Sequence, residues 1–304
     1  MVHPDIPNAI EFFHFLWSVP SNSQCQLGKL TSGTPNQWYS CPTDENTLYF
    51  SKEWKASTLL NPPMKTEIFS TRQEMGIASA RAAADFLRQS LSVQEIVRAV
   101  FAAAPSQNEM LAALIESEGI DWHRIEAFHM DEYIGLDNAA PQRFAQFLKV
   151  RLFDHLPFRA VHLIETDIPE PVKRYEAILK SAPIDLVCLG IGENGHLAFN
   201  DPPVADFDDP VWVKVVELDD MCRQQQVNDG CFATFDDVPR LAVTLTIPAL
   251  LSGKRLICTV PGLTKRQAVF RTLHEPVSTV CPATILRNHA ACTLFLDRDS
   301  AGDC

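Results

Sequence analysis

The chain is poor in positive charge: 26 Lys and Arg stand against 38 Asp and Glu, a formal net charge of −12 over 304 residues. This argues against a broad cationic footprint for nucleic acid or an anionic membrane surface, whereas a small anion needs only a few local cations. Paired metal-type cysteines of the C-x-x-C kind are also missing. The nine cysteines, at 25, 41, 188, 222, 231, 258, 281, 292 and 304, are odd in number and scattered. They favour reduced thiols in a cytosolic protein over a disulfide framework or a zinc site. Cys188 and Cys258 lie inside apolar runs, where a buried thiol simply packs. No run approaches the ~18 apolar residues of a membrane span. The opening Met-Val-His-Pro-Asp-Ile-Pro has no basic stretch, and the apolar patch from Ile10 to Trp17 is broken by Glu11 and His14, so no signal peptide is expected. Internal repeats and low-complexity tracts are absent.

With 46% apolar residues the chain can fill the core of one large α/β domain or two small ones. Residues 1–61 mix Pro, Ser, Asn and Gln with isolated aromatics and hold neither period, so they read as an irregular extension ahead of a domain over 62–304. Within the extension, Thr31-Ser-Gly-Thr-Pro35 lacks a preceding strand and a following helix, and reads as a surface turn rather than a phosphate cradle. From Met64 the pattern changes. Lys65–Phe69 reads as a strand, and Thr71-Arg-Gln-Glu74 as a capping box that opens an Ala-rich helix to about Leu91. Further strands are expected at 95–102, 124–128, 160–164, 184–190, 211–217, 241–246 and 255–260, and helices at 106–118, 141–155, 170–181, 219–228 and 264–273. Such alternation predicts a Rossmann-like, doubly wound α/β fold, a mostly parallel sheet with helices on both faces.

Ligands of such sheets bind beyond the carboxyl ends of the strands, and four strand-following segments carry more than turn residues. His129-Met-Asp131-Glu132-Tyr133 offers two adjacent carboxylates, one of which could take a proton beside a carbonyl, although a solvated acidic turn has the same composition. Gly190-Ile-Gly192-Glu-Asn194-Gly195-His196-Leu-Ala-Phe-Asn200-Asp201-Pro-Pro combines close backbone approach with two proton-exchanging groups. Its Asn-Asp-Pro-Pro stop blocks the helix that a dinucleotide loop needs. Ser106-Gln107-Asn-Glu109 can serve either as an anion site at a helix start or as a plain Ser cap completed by Glu109. Val260-Pro-Gly-Leu-Thr-Lys265 places a cation beside exposed amides, an arrangement suited to phosphate or to an ordinary surface lysine.

The segments Met130–Leu136, Gly190–Asn200 and Gly262–Lys265 together resemble glucosamine-6-phosphate deaminases, and the likeness runs from about residue 64 to 299. The related 6-phosphogluconolactonases share a similar fold and glycine-rich histidine loop. The resemblance implies ring opening of glucosamine 6-phosphate, proton transfer from C2 to C1, and loss of ammonia to give fructose 6-phosphate, with no metal or organic cofactor. Carried over position by position, Asp131 matches the base, His196 the group that assists ring opening, and Lys265 a phosphate ligand. Asp201 and Asn194 complete the catalytic set. Ser106, Gln107, Arg223, Glu132, Gly192 and Gly195 complete the binding set.

The family commonly has Asp where Asn194 stands and Glu where Asp201 stands. Its Gly-Gly-Thr phosphate loop appears here as Ala104-Pro-Ser106-Gln107. Arg223 is the stand-in for a phosphate-binding arginine, and Glu193 is an alternative source of charge beside His196. The expected partner is a phosphorylated amino sugar, with homo-oligomerisation open and neither nucleic acid nor membrane involved. Hydrolysis of a sugar lactone, isomerisation of another phosphosugar, and a non-catalytic sugar-phosphate sensor are the alternatives. The sensor reading is disfavoured because residues 1–61 lack the basic charge and helical period of a DNA-binding module.

Overall fold

In a computed structural model that describes residues 64–302 apart from Ile168, ten strands and eight α-helices follow one another along the chain. They are β1 (Lys65–Phe69), α1 (Arg72–Val93), β2 (Val97–Phe101), α2 (Asn108–Ile115), β3 (Ile125–His129), β4 (Asp131–Tyr133), α3 (Phe144–Leu148), β5 (Ala160–His162), α4 (Pro171–Lys180), β6 (Leu186–Leu189), β7 (Val213–Glu217), α5 (Asp220–Asn228), β8 (Leu241–Leu245), α6 (Ile247–Leu251), β9 (Arg255–Val260), α7 (Arg266–His274), β10 (Cys292–Asp297) and α8 (Arg298–Ala301). The extension expected over 1–61, with its turn at Thr31–Pro35, lies outside the described residues.

Seven strands pair in parallel, in the order β1-β10-β9-β6-β2-β3-β5. The central ones, Val97–Phe101, Leu186–Leu189 and Cys292–Asp297, are buried at every position, as expected where helices cover both faces of a parallel sheet. Alternate side chains of β2 confirm two covered faces. Val97, Ala99 and Phe101 pack with Met75, Leu87 and Met110 of α1 and α2, while Val100 packs in a second core with Leu179 of α4 and Val269 of α7.

Three features depart from the expectation. The runs at 211–217 and 241–246 form strands, but β7 and β8 leave the main sheet and pair antiparallel with β4, in the order β4-β8-β7. The acidic segment after β3 is therefore a strand and not a free loop. Strand β10 is an additional member between β1 and β9. The expected capping box is present in altered form: Thr71 accepts from the Glu74 N–H at 3.1 Å, and Glu74 reaches back to the N–H of Ser70, not of Thr71.

Candidate active site

The strands β9, β6, β2 and β3 are neighbours in the sheet, and the segments that follow them are the four singled out by sequence. Between β2 and β6 the chain order reverses, the switch point at which open sheets bind ligands. A cleft opens there, lined among others by Ser106, Gln107, Asp131, Gly192, His196 and Lys265.

His196 is 8% exposed, and its Nδ1 lies 2.8 Å from Oδ1 of Asp201, which is 1% exposed. Asn194 ties both ends of this pair: its Nδ2 donates to the same Asp201 oxygen at 2.9 Å, and its Oδ1 accepts the backbone N–H of His196 at 2.9 Å. Burial pushes the Asp201 carboxyl up, but the adjoining imidazole and the Asn194 hydrogen bond outweigh it and leave the group below the usual range. The loop is laid along β8, because Phe199 N–H donates to Thr244 and Asn200 Nδ2 donates to the Leu197 and Leu245 carbonyls. Gly192 is required for space, since a Cβ there would overlap the His196 ring. Gly195 has φ +88°, and a Cβ would meet Cys281 Sγ. The carboxylate on His196 is that of Asp201, while Glu193 donates its backbone N–H to Gln225 Oε1 at 2.8 Å and its Oε1 has no hydrogen-bond partner among the described residues.

Asp131 lines the cleft at 6% exposure. Burial first, and the neighbouring Glu132 second, hold its carboxyl well above the usual range, the direction that strengthens a base. Glu132 faces the other way. Fully buried, it accepts the N–H groups of Phe144 and Ala145 at 3.1 and 3.0 Å and lies 3.2 Å from Arg143 Nε. It caps α3 and is not among the residues lining the cleft, so the structure does not bring it to the site where the sequence placed it. His129 is a structural residue: it accepts the Ile164 N–H at 2.7 Å, and burial lowers it to about 3.

At the other strand ends, Pro105–Gln107 is a tight 3-10 turn without a side-chain cap, so Ser106 is not the expected helix cap. Glu109 instead pairs with Arg72 at 2.8 Å. Gln107 Nε2 donates to Ser106 Oγ and to the Thr259 carbonyl, both at 3.1 Å, which fixes the turn against β9. Lys265 is 5% exposed, its Nζ has no hydrogen-bond partner among the described residues, and burial lowers its pKa. Arg223 is committed elsewhere: it donates to the Phe235 and Val238 carbonyls at 2.9 and 3.0 Å and stacks 3.9 Å above the Phe235 ring. The structure does not bring it to the cleft, where the sequence placed it as a stand-in for a phosphate-binding arginine.

Sequence reasoning missed Gln225 and Gln226, which reach the cleft from α5, and Asp229, which reaches it from just past the end of that helix. A search of strand ends passes over a helix, but the polar run Arg223-Gln-Gln-Gln226 with two buried glutamines is a signal of a polar ligand face. His196, Asp201 and Cys222 bring their ligand atoms within 4.8 Å of one another, so these are the residues that could hold a metal. Burial and the carboxylates of Asp201 and Asp131 keep the Cys222 thiol protonated, which suits a proton donor to Asp201 better than a metal thiolate. No described helix is long and apolar enough to cross a membrane.

The profile of the glucosamine-6-phosphate isomerases/6-phosphogluconolactonase family matches residues 70–295. A glucosamine-6-phosphate deaminase of Bacillus thuringiensis (strain Al Hakam) is 36% identical over 188 residues, 61% of this chain and 70% of that one. A solved monomeric glucosamine-6-phosphate deaminase aligns at 28% identity with TM-score 0.72, covering 78% of this chain and 99% of the other. A 6-phosphogluconolactonase from Thermotoga maritima, at 18% identity and TM-score 0.62 over 77% and 99% of the two chains, shares the fold.

Proposed function

Because the chain belongs to the family of glucosamine-6-phosphate isomerases and 6-phosphogluconolactonases, we propose that it converts an aminosugar phosphate to a ketose phosphate and releases ammonia. Glucosamine 6-phosphate, water and the enzyme would give fructose 6-phosphate and ammonia. His196, braced by Asp201, moves the proton that opens the sugar ring. Asp131 takes the C2 proton of the open chain and returns it at C1, after which water displaces the nitrogen. Lys265 and Ser106 hold the phosphate.

The observation that carries this reading is the meeting of Asp131 and His196 in one cleft with Lys265. Burial raises the Asp131 carboxyl above the usual range and so strengthens it as a base, one that can take a proton at C2 and return it at C1. A ring-opening histidine and a separate C2 base are the two groups an aldose–ketose shift needs. Hydrolysis of a lactone needs only an activated water and has no use for a base at C2.

A substrate panel tests the proposal. Ammonia and fructose 6-phosphate from glucosamine 6-phosphate support it. Turnover of 6-phosphogluconolactone alone, insensitive to Asp131→Asn, would instead identify a lactonase, and silence on every phosphorylated sugar would leave the sensor reading.

A further inference from the structure

The phosphate end of the cleft is poor in cations. Among the described residues no arginine lines it, and Lys265 is its one lysine. The same cleft holds a carboxylate, Asp229, whose charge acts on that unpartnered ammonium. Asp229 is not loose. Its Oδ2 accepts from Gln225 Nε2 at 3.3 Å, and Gln225 Oε1 accepts the Glu193 N–H at 2.8 Å, so the carboxylate is tethered to the histidine loop. A phosphate dianion placed here would meet one ammonium and a fixed negative group.

Resting on the proposed placement of phosphate at Lys265 and Ser106, we infer that Asp229 is a specificity-determining residue that selects the phosphate in its monoanionic form. The P–OH donates its hydrogen to the Asp229 carboxylate, while the ionised oxygen pairs with Lys265. A carboxylate has no hydrogen to offer a dianion, so a fully ionised phosphate is repelled where a monoanion is bonded.

The proton balance follows. Above the second pKa of a phosphate monoester, about 6, the free ligand is mostly dianion, and each one bound takes up one proton from the buffer. Affinity then falls by about tenfold per pH unit. Other ionisable groups face this region. Asp131 and His196 line the same cleft. Glu193 and Cys222 act on Lys265, and Asp229 and Arg151 both act on Cys231. Burial pushes the Cys231 thiol up to about 11 and Cys222 higher than its usual value, so both are neutral through the working range. Lys265 itself is distinguishable: Asp229 raises its pKa, so removing the carboxylate would increase any proton uptake that came from the lysine.

The test is calorimetric titration of the full chain with glucitol 6-phosphate and glucitol 6-sulfate, neither of which carries a carbonyl or an amine to react. Buffers of different ionisation enthalpy count the protons. The expectation at pH 7.5 is uptake of nearly one proton with the phosphate, and at least tenfold weaker binding of the sulfate ester. Asp229→Asn should lose the uptake and bring the two esters within about threefold, while Lys265→Arg, which keeps a fixed charge, should retain the uptake. Uptake that is absent in the wild type, unchanged or increased in Asp229→Asn, or lost only in Asp131→Asn would overturn the inference. Because binding is read without turnover, loss of the deaminase reading would appear in the substrate panel and leave this result intact.

Discussion

Nδ1 of His196 and Nδ2 of Asn194 converge on a single oxygen, Oδ1 of Asp201, at 2.8 and 2.9 Å. The charge that steadies the histidine therefore comes from the Asp-Pro-Pro end of the loop, and the amide at 194 contributes by position. Two of the departures from the family's usual residues, Asn194 and Asp201, sit in this one contact. An Asp in place of Asn194 would press a second carboxylate against the first.

Asp201→Asn should lower kcat/KM by about a hundredfold, because an amide neither charges nor fixes the imidazole in the same way. Steady-state kinetics with glucosamine 6-phosphate measure this. A loss under threefold would assign the orientation of His196 to some other group.

Asn194→Asp loses the Nδ2 donor and sets two buried carboxylates together, so its folded-state carboxyl pKa rises. A raised carboxyl pKa means stability lost as pH climbs, so the variant should be destabilised by about 1–3 kcal/mol at pH 8 and by less at pH 5. Urea unfolding at the two pH values checks it. Equal stability to wild type at both would contradict the bridging role.

Asp131 carries the same sign without a partner. Burial holds its carboxyl above the ordinary 3.8, so ionising it costs stability progressively as pH rises from that value through the folded one. Asp131→Asn should melt higher than wild type at pH 8 and at the same temperature below about pH 4. A melting difference independent of pH would argue against this burial cost.

Lys265→Met removes a buried ammonium with no partner. The folded pKa of Lys265 is lowered, so its cost is present below that value, and the variant should gain about 1–3 kcal/mol of stability at pH 7. For the phosphorylated sugar KM should rise at least tenfold with kcat little changed. A KM within twofold of wild type would remove Lys265 from phosphate binding.

The fold was legible wherever the apolar pattern itself sets the structure. The runs at Val97–Phe101, apolar but for Arg98, and at Leu186–Leu189 are apolar on both faces because helices cover them on both sides, and a parallel sheet follows from their alternation with helices. Strand β10 lies in an equally apolar run, Cys292–Asp297, beyond the last helix that the pattern marked. The placement of β7 and β8 depends on antiparallel pairing with Asp131–Tyr133, a long-range relation that no local period carries.

The site was legible to the extent that strand ends announce it. Asp131, His196, Ser106 and Lys265 are brought together as four strand-following segments should bring them. The direction in which a side chain points was not legible: Glu132 adjoins Asp131 in a strand, where successive side chains face opposite ways, and so turns inward to cap α3. Arg223 lies on α5 and Asp229 just past its end, and no local pattern tells that Arg223 turns to Phe235 while Asp229 reaches the cleft.

Glucosamine 6-phosphate incubated with the wild-type chain and with Asp131→Asn at equal concentration, with ammonia and fructose 6-phosphate quantified together, bears most directly on the proposed chemistry. Equal amounts of the two products from the wild type, falling by at least a hundredfold in the variant, are expected. Equal turnover by both proteins would show that Asp131 is not the base.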